Sequence, residues 1–237
     1  MALNTGVKGL EEMVDIPEDY TLLLGGPPGT GKSAFAIDYL FHGIENGEKG
    51  LYITLRGSQE EIRESVELRG YDPVSESFQI QEATNLMKGA SGQVFEPEKV
   101  IDGLRRHLND FEPDRIVIDS MTKFMMIFDA EPVQREQASR IVGRIKQNEA
   151  SALFIGEVPF SKNGQPSRYE ILEFIVDGIL KLEQSQEGTL FEILKMKGLG
   201  YDRSTMKVNI SDSDISLDSF NKSAGSDSSD TDYEKFC

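Results

Sequence analysis

Gly26-Pro27-Pro28-Gly29-Thr30-Gly31-Lys32-Ser33 reads G-x-x-x-x-G-K-S, the pattern of a phosphate-cradling P-loop. Residues 20–25 before it include three consecutive leucines and suit a buried strand, while residues 34–40 after it suit a helix. This is the strand-loop-helix context that the motif needs. Glycines let backbone N–H groups turn onto phosphate oxygens, and the helix adds its positive N-terminal end. Lys32 is expected to reach the β- and γ-phosphates and Ser33 to offer its hydroxyl to Mg²⁺. Every residue of the loop, from Gly26 through Pro27, Pro28, Gly29, Thr30 and Gly31 to Lys32 and Ser33, belongs to the expected nucleotide-binding segment.

On either side, apolar runs alternate with amphipathic stretches, the βαβ rhythm of a mostly parallel sheet covered by helices. Residues 50–55 read as the second strand. Ser58 and Glu61 have the spacing of a capping box, opening a helix to about Arg69. Further strands are expected at 77–81, 115–119 and 152–157, with helices at 97–108 and 133–147. Residues 175–182, 189–197 and 206–210 are β-rich with short turns, which predicts a C-terminal antiparallel extension of the sheet. From Ser211 onward, eight serines and an acidic run offer too little apolar surface to offset the entropy of ordering. The expected organisation is one α/β domain over 1–210 and a disordered acidic Ser/Asp-rich tail over 211–237.

The chain has 237 residues and a net charge of −16. The tail holds seven acids and two lysines, a net of −5, so −11 remains for the domain. Acidity of this kind fits either a salty cytoplasm, where carboxylates keep a protein in solution, or an ordinary acidic protein. It argues against a surface built to grip nucleic acid. The apolar runs are too short to span a bilayer and the first fifteen residues lack a signal profile, so a soluble cytoplasmic protein is expected, with no membrane partner. The only cysteine is Cys237 and the only histidines are His42 and His107, which leaves no Cys- or His-rich metal centre.

Asp119 ends the apolar strand 115–119, as a Walker B carboxylate does when it sits beside Mg²⁺ at the sheet edge. With residues 5–13, the P-loop, Ile118-Asp119-Ser120 and Lys195-Met196-Lys197-Gly198 together, the chain resembles the ATPase domain of the KaiC family within the RecA superfamily, from about residue 4 to 210. The resemblance implies a RecA-like three-layer P-loop NTPase core, binding of ATP and Mg²⁺, and a homo-oligomer, ring or filament, with ATP at subunit interfaces. It also implies that Lys195 and Lys197, matching a Lys-x-Arg pair, reach ATP held by the adjacent subunit. The second Lys keeps the charge but lacks the planar fork of Arg. Glu157 resembles the acid closing the corresponding strand, either sensing the γ-phosphate, coupling the site to the following loop, or ending the strand in solvent.

One departure stands out. After the second strand, such domains carry acidic residues, one of which activates the attacking water; here the positions hold Arg56 and Gly57. General-base help is worth roughly 10²–10⁴-fold, so its loss leaves ATP binding with slow hydrolysis. Arg56 either places positive charge near the γ-phosphate or is a solvated loop residue. Glu60 and Glu61 lie nearby, but the capping box gives them another task. Met121, Met125 and Met126 with Phe124 and Phe128 form either a flexible interface or core packing. The expected function is a regulatory or signalling ATP-binding protein and weak ATPase whose acidic tail meets a protein partner. The alternatives are a DNA-associated recombinase-like ATPase, which lacks a basic run here, and a non-hydrolysing scaffold.

Overall fold

Leu22 and Leu24 project into one apolar core and Leu23 into another. The split repeats in three more runs: Tyr52 opposes Leu51 and Ile53, Val117 opposes Ile116 and Ile118, and Leu153 with Ile155 opposes Ala152 with Phe154. Side chains on a strand alternate with period two, so these runs belong to a sheet covered on both faces.

The computed structural model describes residues 2–83, 97–128, 130–157 and 170–220. Its strands are β1 (Val7–Lys8), β2 (Thr21–Gly25), β3 (Gly50–Thr54), β4 (Phe78–Glu82), β5 (Arg115–Asp119), β6 (Ser151–Gly156), β7 (Gly178–Ser185), β8 (Gly188–Met196), β9 (Met206–Ile210) and β10 (Ile215–Ser219). Its helices are α1 (Leu10–Met13), α2 (Lys32–Glu45), α3 (Gln59–Leu68), α4 (Pro97–Phe111), α5 (Met121–Met126), α6 (Glu131–Gln147) and α7 (Glu170–Ile175). Among the described residues the strands form one sheet in the order β1-β10-β9-β8-β7-β2-β6-β5-β3-β4. From β7 to β4 the pairing is parallel, and β8, β9 and β10 extend it antiparallel. One face is covered by α2 through Phe35, Ile37, Leu40 and Phe41. The other is covered by α4, α5, α6 and α7 through residues such as Leu108, Phe124, Ile141 and Leu172. The result is three layers. No helix among the described residues is long and apolar enough to cross a membrane.

Two registers position the site. Gly25 faces Gly156, Asp119 faces Ile155, and Thr54 faces Asp119, so β2, β6, β5 and β3 end on one line. The residues that follow these strands must therefore meet at one edge. At the opposite edge Arg115 is buried; it pairs with Glu48, donates to the carbonyls of Asn4 (2.5 Å) and Tyr39 (2.7 Å), and so ties α2 to β5.

Two expectations need correction. The tail does not begin at Ser211: β10 lies inside the segment read as disordered and pairs with both β9 and β1. Composition misled because Ile215 and Leu217, on one face of a Ser/Asp-rich strand, are the only large apolar groups it needs; both are buried. The part of the expected tail over 221–237 lies outside the described residues. Secondly, Ile175 ends a helix instead of opening a strand, since Ile171, Leu172 and Ile175 share a helical face against the second core. β7 starts only at Gly178, after Asp177 has bonded Thr21 Oγ1 at 2.6 Å and Lys146 Nζ at 2.7 Å.

Burying Ile215 and Leu217 stabilises the fold by about 1.5–3 kcal/mol each. A chain ended at residue 210 should therefore unfold in urea at a clearly lower midpoint than one ended at 220, by roughly 3 kcal/mol or more in free energy. Superimposable unfolding curves would show that β10 is dispensable.

Candidate nucleotide site

Gly31 is the N-cap of α2 with φ of 89°, a left-handed conformation that glycine adopts without strain, and no side chain caps the helix. The first N–H groups of α2 are thus left for a ligand. A Cβ on Gly31 would also overlap Cδ1 of Ile210, which flanks the loop from the end of β9, and one on Gly26 would lie 2.6 Å from the Leu182 carbonyl. Gly26 and Thr30 are buried, Pro28 and Gly29 exposed, and Thr30 Oγ1 donates to Pro27 O at 2.8 Å to hold the turn. Lys32 is only 6% exposed, and its ammonium donates to Gly26 O (2.8 Å) and Pro27 O (2.7 Å). Burial lowers its pKa, Asp119 and Glu157 oppose that shift, and Arg56 adds to it. These four charges therefore share one field.

Asp119, at the end of β5, is 5% exposed. Tyr52 OH donates to its Oδ2 at 2.8 Å, whereas Oδ1 is buried with no hydrogen-bond partner. Burial raises the Asp119 pKa against the pull of Tyr52 and Arg56, and burial with the Asp119 charge pushes the Tyr52 phenol well up. Ser33 is the second residue of α2, directly after Lys32, and Tyr52 ties β3 to the carboxylate that ends β5. A buried carboxylate oxygen facing no donor, beside a Ser hydroxyl at a helix start, is a donor set suited to a hard cation such as Mg²⁺. No cluster of three or more acids, His or Cys able to hold a metal occurs among the described residues.

Glu157 follows β6. Its Oε1 accepts from Arg56 Nη1 at 2.7 Å and from Ser120 Oγ at 3.0 Å, and its backbone N–H donates to Thr122 Oγ1 at 3.0 Å. Arg56 is presented by a tight turn in which Thr54 Oγ1 accepts from the N–H groups of Arg56 (3.2 Å) and Gly57 (3.0 Å). The capping box forms: Glu61 N–H donates to Ser58 Oγ and Ser58 N–H to Glu61 Oε2. A Cβ on Gly57 would overlap that same Oε2. Glu61 is therefore engaged away from the P-loop, and Glu60 is an exposed first-turn residue.

The lysine pair is not brought to this edge. Met196 faces Gly178, which faces Leu22, so Lys197 sits near the start of β2, roughly 10 Å or more along the strand from Gly25. Lys197 is exposed, while Lys195 donates to the carbonyls of Glu173 (2.5 Å) and Val176 (2.7 Å) at the end of α7; burial lowers its pKa. A bulge at Ile179/Leu180 turns this end of the ladder. Neither lysine reaches the P-loop of its own chain. Of the methionine group, Met121 and Met125 are buried, Phe124 and Phe128 pack edge to face at 5.1 Å, and Met126 is 62% exposed.

Tyr52, Thr54 and Ile210 escaped the reading of the sequence, and Ser120 was read only as part of the motif with Asp119, not as a partner of Glu157. Tyr52 sits in a run apolar on both faces and reads as core; only its place two residues before the end of the strand adjoining Asp119 marks its hydroxyl as a site group.

A family model for the KaiC ATPase matches residues 3–220. A UPF0273 protein of Methanopyrus kandleri is 28% identical over 234 residues, 91% of this chain and 91% of that protein. The circadian clock oscillator protein KaiC of Synechococcus elongatus is 26% identical over 230 residues, 91% of this chain but 44% of that protein, so the chain spans less than half of that relative. The crystal structure of a KaiC-like protein from Pyrococcus horikoshii OT3 shares the fold, with a TM-score of 0.77 and 23% identity over 92% of this chain and 98% of that one. The family match runs from before β1 to the end of β10 and takes in the P-loop, Asp119 and the antiparallel extension: the chain belongs to the KaiC ATPase family, P-loop ATPase domains of the RecA superfamily.

Proposed function

We propose that this protein binds Mg-ATP at the line where β2, β6, β5 and β3 end, and that it works as a slowly hydrolysing regulatory ATPase. The observation that carries the reading is the partnerless Asp119 Oδ1, buried on the same strand-end line as a complete P-loop. Lys32 would exchange the Gly26 and Pro27 carbonyls for phosphate oxygens, with the N–H groups of α2 cradling the rest. Asp119 and Ser33 would hold the Mg²⁺, which neutralises charge on the β- and γ-phosphates when bound. Slow turnover follows from Arg56 at the position of the expected acid, since positioning and electrostatics then act without a dedicated base. A regulatory output is supported by relatives that bear the clock-oscillator name. A main role in gripping nucleic acid is disfavoured by the charge of −16.

We further propose a head-to-tail assembly that brings Lys197, with Lys195, toward ATP on a neighbouring copy. The two lysines lie at the sheet edge opposite the P-loop, the arrangement a heterologous interface needs.

Calorimetry should find saturable Mg-ATP binding to the native chain and none to Lys32→Ala; native protein that fails to bind removes the reading. Asp119→Asn should lose the Mg²⁺ dependence of binding. The same substitution should stabilise the nucleotide-free fold at pH 7, by about 1–3 kcal/mol, because it removes a buried charge with an unmet acceptor. The sign follows from the raised Asp119 pKa: the ionised form is the costly one, so the gain should shrink as acid protonates the native residue. Melting curves of both proteins across pH check this, and a gap that widens toward acid contradicts it. For the assembly, Lys32→Ala subunits mixed with Lys195→Ala/Lys197→Ala subunits should recover ATP turnover that neither shows alone. Recovery is not expected if the lysines act only within their own chain.

A further inference from the structure

Four charged side chains meet the strand-end line in sheet order: Lys32 from the loop after β2, Glu157 after β6, Asp119 ending β5 and Arg56 after β3. Arg56 is the outermost, yet its guanidinium reaches back across the end of β5 to Glu157, two strands or roughly 10 Å away in the sheet. The pair therefore spans the space above Asp119, next to the loop where a terminal phosphate would arrive. It is also half in solvent, with Arg56 44% and Glu157 25% exposed. An ion pair at such exposure is worth at most about 1 kcal/mol. A guanidinium on a phosphate makes charge-assisted and often bidentate bonds, and a terminal phosphate carries more negative charge than one carboxylate.

We infer that Arg56 is a γ-phosphate reader: it rests on Glu157 when the nucleotide has no γ-phosphate and transfers to that phosphate when ATP is bound. The inference rests on the proposed ATP binding and adds to it the means by which the site tells ATP from ADP. A ligand shifts an equilibrium only through differential contacts with the two states, and here only the triphosphate offers Arg56 a better partner than Glu157. On transfer, Glu157 loses its cation but keeps the Ser120 hydroxyl. Ser120 is the N-cap of α5, accepting from Lys123 N–H at 3.3 Å. Arg56 acts on the nucleotide directly, and Glu157 is the positioning residue that stores it.

The test is calorimetric titration of the full-length protein with the Mg²⁺ complexes of ADP and of the imidodiphosphate analogue of ATP, which is not turned over. Arg56→Gln should weaken the analogue about tenfold and shift ADP by less than twofold. Glu157→Gln, which removes the competitor, should tighten the analogue a few-fold. Arg56→Lys should fall between native and Gln, keeping the charge without the fork. Arg56 is exposed on a turn built from backbone N–H groups and Thr54, so these variants should melt with the native protein. Equal effects of Arg56→Gln on both nucleotides, or none, would overturn the reader while leaving the ATP-binding reading intact. If the native protein binds neither nucleotide, both ideas fall, and the two failures are thus distinguishable.

Discussion

Parallel pairing of β2, β6, β5 and β3 in a single register is the constraint on which the other features depend. Because Gly25, Gly156, Asp119 and Thr54 end on one line, four segments distant in sequence deliver a glycine-rich loop, two carboxylates and a guanidinium to the same edge. The register is in turn imposed by burial. Each of these strands is apolar on both faces, and a one-residue slip would exchange the side chains belonging to the two cores. The order of the sheet therefore serves the site without any site residue having to hold the strands together.

At that edge the molecule departs from the rule that buried polar groups are paired. Asp119 keeps an unmet oxygen at 5% exposure, and Lys32 turns back on its own loop, both marks of groups set for a partner outside the chain. At the opposite edge the buried ions are satisfied: Arg115 by Glu48 and two carbonyls, Asp177 by Thr21 and Lys146. Comparison of the two edges locates function better than the count of charges at either.

Much of this was legible beforehand, for identifiable reasons. The P-loop, the strand ending in Asp119 and the Ser58–Glu61 cap are local patterns, each carried by spacing along the chain, and the β-rich end at 188–210 announced its antiparallel pairing. β10 was hidden because two apolar residues suffice when a strand is inserted between existing partners, and composition averages them away. The Arg56–Glu157 pair joins residues 101 positions apart through sheet order, which no local pattern encodes. Gly57 shows a subtler limit. It stands at one of the two positions where an acid was expected, yet Glu61 already fills the space a side chain there would need. Arg56 is thus the position at which a carboxylate can be restored without disturbing the capping box.

The cradle is complete, while the position where an acid was expected to activate water holds a cation paired with Glu157. Single-turnover phosphate release at saturating Mg-ATP tests it most directly, comparing the native chain with Arg56→Glu and leaving Gly57 unchanged. Release should be faster in the variant, by roughly 10²-fold or more, the contribution expected of a positioned general base. Equal rates in the two proteins, or a slower variant, would contradict it.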